Sequence, residues 1–266
     1  MLIDAFTFFN ELELLDIRLH ELDSIVDYFV IAESLEHHGS IGKKPANLRD
    51  NWHLIKPFEK KIKYVVLDSL YPALAGREQV WPRENFQRNA LLQIARSVST
   101  SGKDILMISD ADEIPRANMI AENIPRFAGG LYGTQQDLFY YNVNTYFGEW
   151  HGTVISTIDC IEKMGGPQAA RNRRDELPLL ENAGWHFSYF GGVDKIVNKV
   201  ANFAHAVDDS ARDCLSRGKE ELAGDVAAGR DLYRRPEMKA ERREANDPRL
   251  PAYFLNNPEK FPQFIA

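Results

Sequence analysis

The chain opens on an apolar run, Leu2 to Phe9, followed by Asn10 and, three residues later, Glu13, the spacing of a helix N-cap with its reciprocal capping residue. Leu12, Leu15, Leu19 and Leu22 then recur at helical intervals, which predicts a strand followed by a helix that lays one leucine stripe on a sheet. Tyr28 to Ala32 and Tyr64 to Leu67 are compact runs of aromatic and β-branched residues without polar alternation, the pattern of strands covered on both faces of a parallel sheet. Pro82 marks the start of a second amphipathic helix with Phe86, Ala90, Leu91 and Ile94 on its buried side. Asp104 to Ser109 reads as another buried strand.

Strand and helix thus alternate up to Asp110, which predicts a right-handed, mostly parallel α/β sheet. The pattern then changes. Gly129 to Thr157 is rich in Tyr, Phe, Gly and Asn and reads as antiparallel strands and long loops on the sheet edge. Arg171 to Asp175 (RNRRD) reads as an exposed connection, and Val207 to Arg249, where charges of both signs alternate with Ala and Leu, as a solvated helical region. No internal repeat is present.

With 266 residues, 44% hydrophobic and 27% charged, the chain has the composition of a folded domain with a substantial core. Its formal charge of -7 argues against a nucleic-acid partner, although a bound divalent cation can invert the local field for a phosphorylated small molecule. No apolar run approaches the roughly 20 residues of a membrane helix, and the first residues carry acids where a signal peptide carries bases, so a cytoplasmic location is expected. Cys160 and Cys214 lack CxxC spacing and read as two reduced thiols.

Asp104 to Pro115, DILMISDADEIP, holds the most informative chemistry. A buried strand ending in Asp-Ala-Asp delivers two carboxylates beyond its C-terminal edge, where open α/β sheets bind ligands. Residues two apart in an extended backbone face one side, so Asp110 and Asp112 share a crevice, with the small Ala111 leaving room for a ligand. Two like charges so close repel unless a cation joins them, and a hard, oxygen-seeking Mg²⁺ or Mn²⁺ fits. The alternative is that Asp112 and Glu113 only favour the start of a helix near Pro115.

Together, LLDIRLHELDSIVDYFVIAES, ILMISDADEIP, AGWHFSYFGG with the lysines after it, and LPAYFLNNPEKF resemble glycosyltransferase family 17, in the family's order and across most of the chain. The family includes β-1,4-mannosyl-glycoprotein N-acetylglucosaminyltransferases. The resemblance implies one GT-A-like domain over residues 1–266. Its Rossmann-type, mostly parallel sheet would carry helices on both faces, with a nucleotide-sugar part (1–128), an antiparallel acceptor-side and metal part (129–206) and a helical C-terminal appendage (207–266). It further implies a nucleotide-sugar donor, UDP-GlcNAc in the family, a glycan acceptor, a divalent cation at D-x-D, and transfer with inversion.

Sugar transfer from a nucleoside diphosphate needs the leaving diphosphate neutralised, which a metal on Asp112, with Asp110 through water, would do. Asp110 alternatively faces the donor ribose or sugar, and Glu113 holds either the metal's surroundings or donor hydroxyls. His186 is either a further metal ligand or a packed core histidine. Lys195 and Lys199, four apart, either face the departing phosphates or line an exposed helix, and Arg88 either reaches the diphosphate or only pairs with Glu84. Glu33 at a strand end and Lys43 in the following turn are placed for the nucleoside, or are merely exposed. Trp150 and Trp185 either stack on sugars or are core. A base must take the acceptor proton, and Glu149, then Asp137 and His151, are the candidates.

Two other readings compete. Haloacid-dehalogenase-type phosphatases also end a strand in D-x-D, which would make Asp110 a nucleophile, and a non-catalytic carbohydrate-binding protein would explain the aromatic residues without the acids.

Overall fold

Strand β1 (Leu2–Phe8) lies between two parallel neighbours, β2 (Tyr28–Ser34) and β4 (Ile105–Asp110), and β3 (Ile62–Leu67) extends the parallel block beyond β2. The computed structural model describes residues 1–73, 77–203, 206 and 208–266. The pleat sorts β1 onto two faces. Leu2, Phe6 and Phe8 pack against helix α1 (Leu12–Leu22) through Leu15, Leu19 and Leu22, and the same cluster takes in Ile120 and Phe127 of α4 (Ala117–Phe127). Ile3 and Ala5 pack on the other face against Leu91, Leu92, Ile94 and Ala95 of α3 (Val80–Val98). Each of these fully buried leucines contributes about 1.5–3 kcal/mol. The expected α/β sheet with helices on both faces is therefore present.

Beyond β4 the sheet becomes mixed. A short β5 (Glu113–Pro115) follows the acids, then β6 (Tyr132–Tyr140) and β7 (Thr145–Thr157) form the expected antiparallel pair, with β7 antiparallel to β4. Strand β8 (Leu179–Leu180) runs beside β6, and β9 (Gly184–Ser188) lies between β6 and β5. The order is β3-β2-β1-β4-β7-β6-β9-β5, with the two-residue β10 (Glu241–Arg242) on β7. Connecting helices include α2 (Asn47–Asp50), α5 (Ile158–Lys163) and α6 (Pro167–Arg171).

Helices α7 (Val193–Asn202), α8 (Asp209–Ser216) and α9 (Gly218–Ala227) cover the outer part of β6 and β7: Ile196, Val200, Ala211, Cys214 and Leu222 join Leu138, Tyr140 and Phe147 in one cluster. The last segment, with α10 (Ala252–Asn256), returns to the start of the chain. Phe254, Phe261 and Phe264 pack on Leu14 and Ile17 of α1, and the Tyr253 ring stacks on His20 at 3.6 Å.

Four local expectations are corrected. Helix α1 begins at Leu12, not after an Asn10 cap, because the Glu11 carboxylate turns back to accept the Phe9 and Asn10 N–H groups while Glu13 pairs with Lys195. In α3, Phe86 is 39% exposed, because the buried stripe runs through Val80, Arg83, Gln87 and Leu91. Arg171 of the RNRRD segment is buried, not exposed. Past Ala227 the charged C-terminal region is mostly turns, and Asp225 and Asp231 within it are buried in arginine pairs. Val207, where that region was expected to start, lies outside the described residues.

Among the described residues no helix is long and apolar enough to cross a membrane. Cys160 and Cys214 are free thiols.

Candidate active site

The strand β4 ends at Asp110 and the chain reverses through Ala111 and Asp112 into β5, where Glu113 lies opposite His186 of β9. The reversal is held from beneath by Arg18 of α1. Its guanidinium grips Asp4 at 2.6 and 2.7 Å, and donates to Ser109 Oγ and to the backbone carbonyls of Asp110 and Glu113. Asp110, Ala111 and Asp112 all line one cavity of about 520 Å³, within the usual range for small-molecule sites. The other walls come from the segment after β1, the loop after β2, α3, β7, β9 and the end of α7.

The two acids differ in partners. Asp110 accepts from Arg88 at 2.8 Å and from Arg171 at 2.9 Å, one guanidinium on each oxygen. Burial alone would raise its pKa, but Arg88 and then Arg171 hold it far below the usual carboxylate range. Arg88 also pairs with Glu84 and bonds Gln168. Asp112 accepts from Lys199 at 2.6 Å, and its other oxygen lies 3.6 Å from His186 Nε2. Against the effect of burial, Lys199 and then His186 keep Asp112 ionised, and Asp112 with Glu11 in turn raises Lys199 above the ordinary lysine value. Glu11, on the same wall, is pushed the other way: burial raises its carboxyl, offset in part by Lys199.

Among the described residues no group of three or more His, Cys, Asp and Glu side chains is arranged as a metal cage. Mg²⁺ and Mn²⁺ do not require one, since they bind through one or two protein ligands and complete their shell with water and phosphate oxygens. Asp112 and His186 fit that smaller donor set, with His186 Nε2 3.6 Å from one Asp112 oxygen. Asp110 fits a direct ligand less well, because each of its oxygens already carries a guanidinium.

Of the residues picked from the sequence, Arg88, Asp110, Asp112, Trp150, His186 and Lys199 meet at this cavity. Glu113 lies just beneath it. Its carboxylate accepts from Arg171 at 2.5 and 2.9 Å, from Trp150 Nε1 at 2.8 Å and from the Asp110 N–H, so it fixes the acids in place from below. Lys195 turns to Glu13 at 2.7 Å in a neighbouring depression.

The other expectations are corrected. Glu33 is 0% exposed and does not meet a nucleoside. It accepts from the Asn47 and Leu48 N–H groups, Tyr64 and Lys44, and so caps α2. Lys43 pairs with Glu36 and bonds Asp68 O at the surface. Trp185 is 1% exposed, under Arg116 with its Nε1 on Arg249 O, and has no face for a sugar. Glu149, Asp137 and His151 stand outside the cavity, because Trp150 faces inward and its neighbours on the pleat point away. Asp137 instead lies 3.7 Å from Arg243, and His151 lies 3.0 Å from Asp175.

Several residues at or beneath the cavity escaped the sequence reading. Arg171 lay in a run that looked exposed, and Glu11 was hidden behind the capping signal of its neighbours. Arg174 lies over the Trp150 ring at 4.9 Å and lines the cavity, with no ion pair among the described residues. A phosphatase nucleophile at Asp110 is disfavoured by the two guanidinium groups that occupy its oxygens.

Known proteins resemble the chain at two levels. Beta-1,4-mannosyl-glycoprotein 4-beta-N-acetylglucosaminyltransferase of Mus musculus is 33% identical over 193 residues, and that of Rattus norvegicus 30%, each alignment covering 68% of this chain and 34% of the relative. The chain thus spans about a third of the length of these relatives. In structure, an inositol-1-phosphate CTP transferase from T. maritima matches with a TM-score of 0.35 at 10% identity, covering 71% of this chain and 90% of that one. The model of glycosyltransferase family 17 matches residues 1–265, so the chain belongs to that family.

Proposed function

We propose that the chain transfers N-acetylglucosamine, with inversion, from UDP-GlcNAc to a hydroxyl of a glycan acceptor, in a reaction that requires Mn²⁺ or Mg²⁺. The observation that carries the metal dependence is Asp112, ionised at the cavity wall between Lys199 and His186. The names of the mouse and rat relatives support the sugar and the glycan acceptor.

Asp112 and His186 would hold the metal, which when bound supplies positive charge to the leaving diphosphate. Lys199 and Arg88 border the same space and offer N–H donors to phosphate oxygens. Asp110, whose side chain is 34% exposed between its two arginines, keeps lone pairs for donor hydroxyls. Glu113, Arg171 and Arg18 do not touch the substrates in this scheme; they keep the two acids from moving apart.

Calorimetry of UDP binding in excess Mn²⁺ tests the reading. Asp112→Asn should weaken UDP by about tenfold or more, since it removes the charge that holds the cation. Equal affinities for wild type and variant would sink the proposal. Product analysis separates the competing classes: a transferase releases UDP only with donor and metal present, a phosphatase releases inorganic phosphate, and a carbohydrate-binding protein releases neither.

A further inference from the structure

The cavity wall formed by the loop after β2 includes Glu36, His37 and His38, with Gln87 of α3 and Phe203 at the end of α7 beside them. Gly39 lets this loop sit directly on α7. Its N–H donates to Asn202 O at 3.1 Å, and a Cβ at this position would lie 2.7 Å from Phe203 O. The His38 ring is thereby set edge-on to Phe203, which also meets Phe9 edge-on at 5.5 Å.

The hydrogen bonds around His38 have one consistent direction. Gln87 Nε2 donates to Ala32 O at 2.9 Å, and because a carbonyl only accepts, the amide is fixed with Oε1 toward His38. Oε1 also only accepts, so the 2.7 Å contact to His38 Nε2 requires a proton on Nε2. Burial lowers the His38 pKa, with Glu84 opposing, which keeps the ring neutral at pH 7. A neutral ring protonated on Nε2 has a bare lone pair on Nδ1. That atom has no hydrogen-bond partner among the described residues, and the residue lines the cavity.

We infer that His38, held in one tautomer by Gln87, selects the nucleobase of the donor by accepting a hydrogen bond from an imino N–H. Uracil carries such a proton at N3. Cytosine has a lone pair at N3, so two acceptors would face each other and both would stay unpaired in a partly dry site. The inference rests on the nucleotide-sugar reading above and adds the residue that reads the base. In this scheme His38 touches the ligand, and Gln87 is a positioning residue.

Calorimetry with the full chain and excess Mn²⁺, using UDP, CDP and inorganic pyrophosphate as probes, tests it. Wild type should bind UDP about tenfold or more tighter than CDP. His38→Phe, which keeps a ring against Phe203, should bring UDP to within about twofold of CDP and leave pyrophosphate binding unchanged. Gln87→Ala should narrow the same ratio with His38 still in place, whereas general damage would weaken all three probes together. A wild-type ratio near one, or a His38→Phe variant that keeps the wild-type ratio, overturns the inference. If wild type binds pyrophosphate but treats UDP and CDP alike, only the base reading fails; if it binds none of the three, the nucleotide-sugar reading fails with it.

Discussion

Arg18 and Asp4 form a doubly hydrogen-bonded ion pair with no solvent exposure on either side chain, directly under the loop that carries Asp110 and Asp112. The remaining guanidinium N–H groups go to Ser109 Oγ and to the backbone carbonyls of Asp110 and Glu113, so one side chain ties α1, β1 and the end of β4 into a single unit.

Removing the arginine leaves Asp4 charged and buried. Arg18→Met should therefore destabilise the protein by about 3–5 kcal/mol, read as a lower urea midpoint at an unchanged m-value. The double variant Asp4→Leu with Arg18→Met should recover most of that loss, because neither charge then remains unpaired. A double variant as unstable as the single one would show that the pair is not the origin of the effect.

Glu11 gives a pH-dependent expectation. Burial raises its carboxyl above the ordinary value, so its ionised form is worse off folded than unfolded. The folded chain accordingly loses stability as pH rises from the unfolded glutamate pKa through the folded one. Glu11→Gln should raise the melting temperature at pH 7, and the difference should shrink as pH falls through the folded pKa and vanish well below the unfolded glutamate pKa, at about pH 3, where the wild-type carboxyl is protonated in both states. Equal melting temperatures at pH 7 would show that burial does not disfavour the Glu11 carboxylate.

Trp185 separates packing from binding. Its ring is enclosed by Phe187 and Arg116, and its N–H is bonded to Arg249 O. Trp185→Ala should cost about 3–5 kcal/mol of stability. The milder Trp185→Phe should lower the melting temperature and leave the acceptor KM unchanged. A raised acceptor KM in a variant with near wild-type stability would return Trp185 to the site.

The parallel half of the fold was legible because strands covered on both faces show as unbroken apolar runs, as in Tyr28 to Ala32 and Ile105 to Ile108. Asp110 and Asp112 were legible for a related reason: acids that follow such a strand stand at the ligand-binding edge. Side chains whose roles depend on distant partners were not. Glu33 and Arg171 carry charges that a local reading sends to the surface, and both are buried because Lys44 and Tyr64, or Asp110 and Glu113, meet them there. Trp150 and its neighbours Glu149 and His151 could not be sorted without knowing which face of β7 turns inward. Strands of two residues such as β8 and β10 leave no periodic signal at all.

The phenylalanines of the closing segment bear on Leu14 and Ile17 on one flank of α1, while Arg18 extends from the same helix toward the acids. The tail therefore works as a remote buttress: lifting it would let the first helix shift, and the geometry of the acid-lined pocket would slacken although none of its lining residues had been altered.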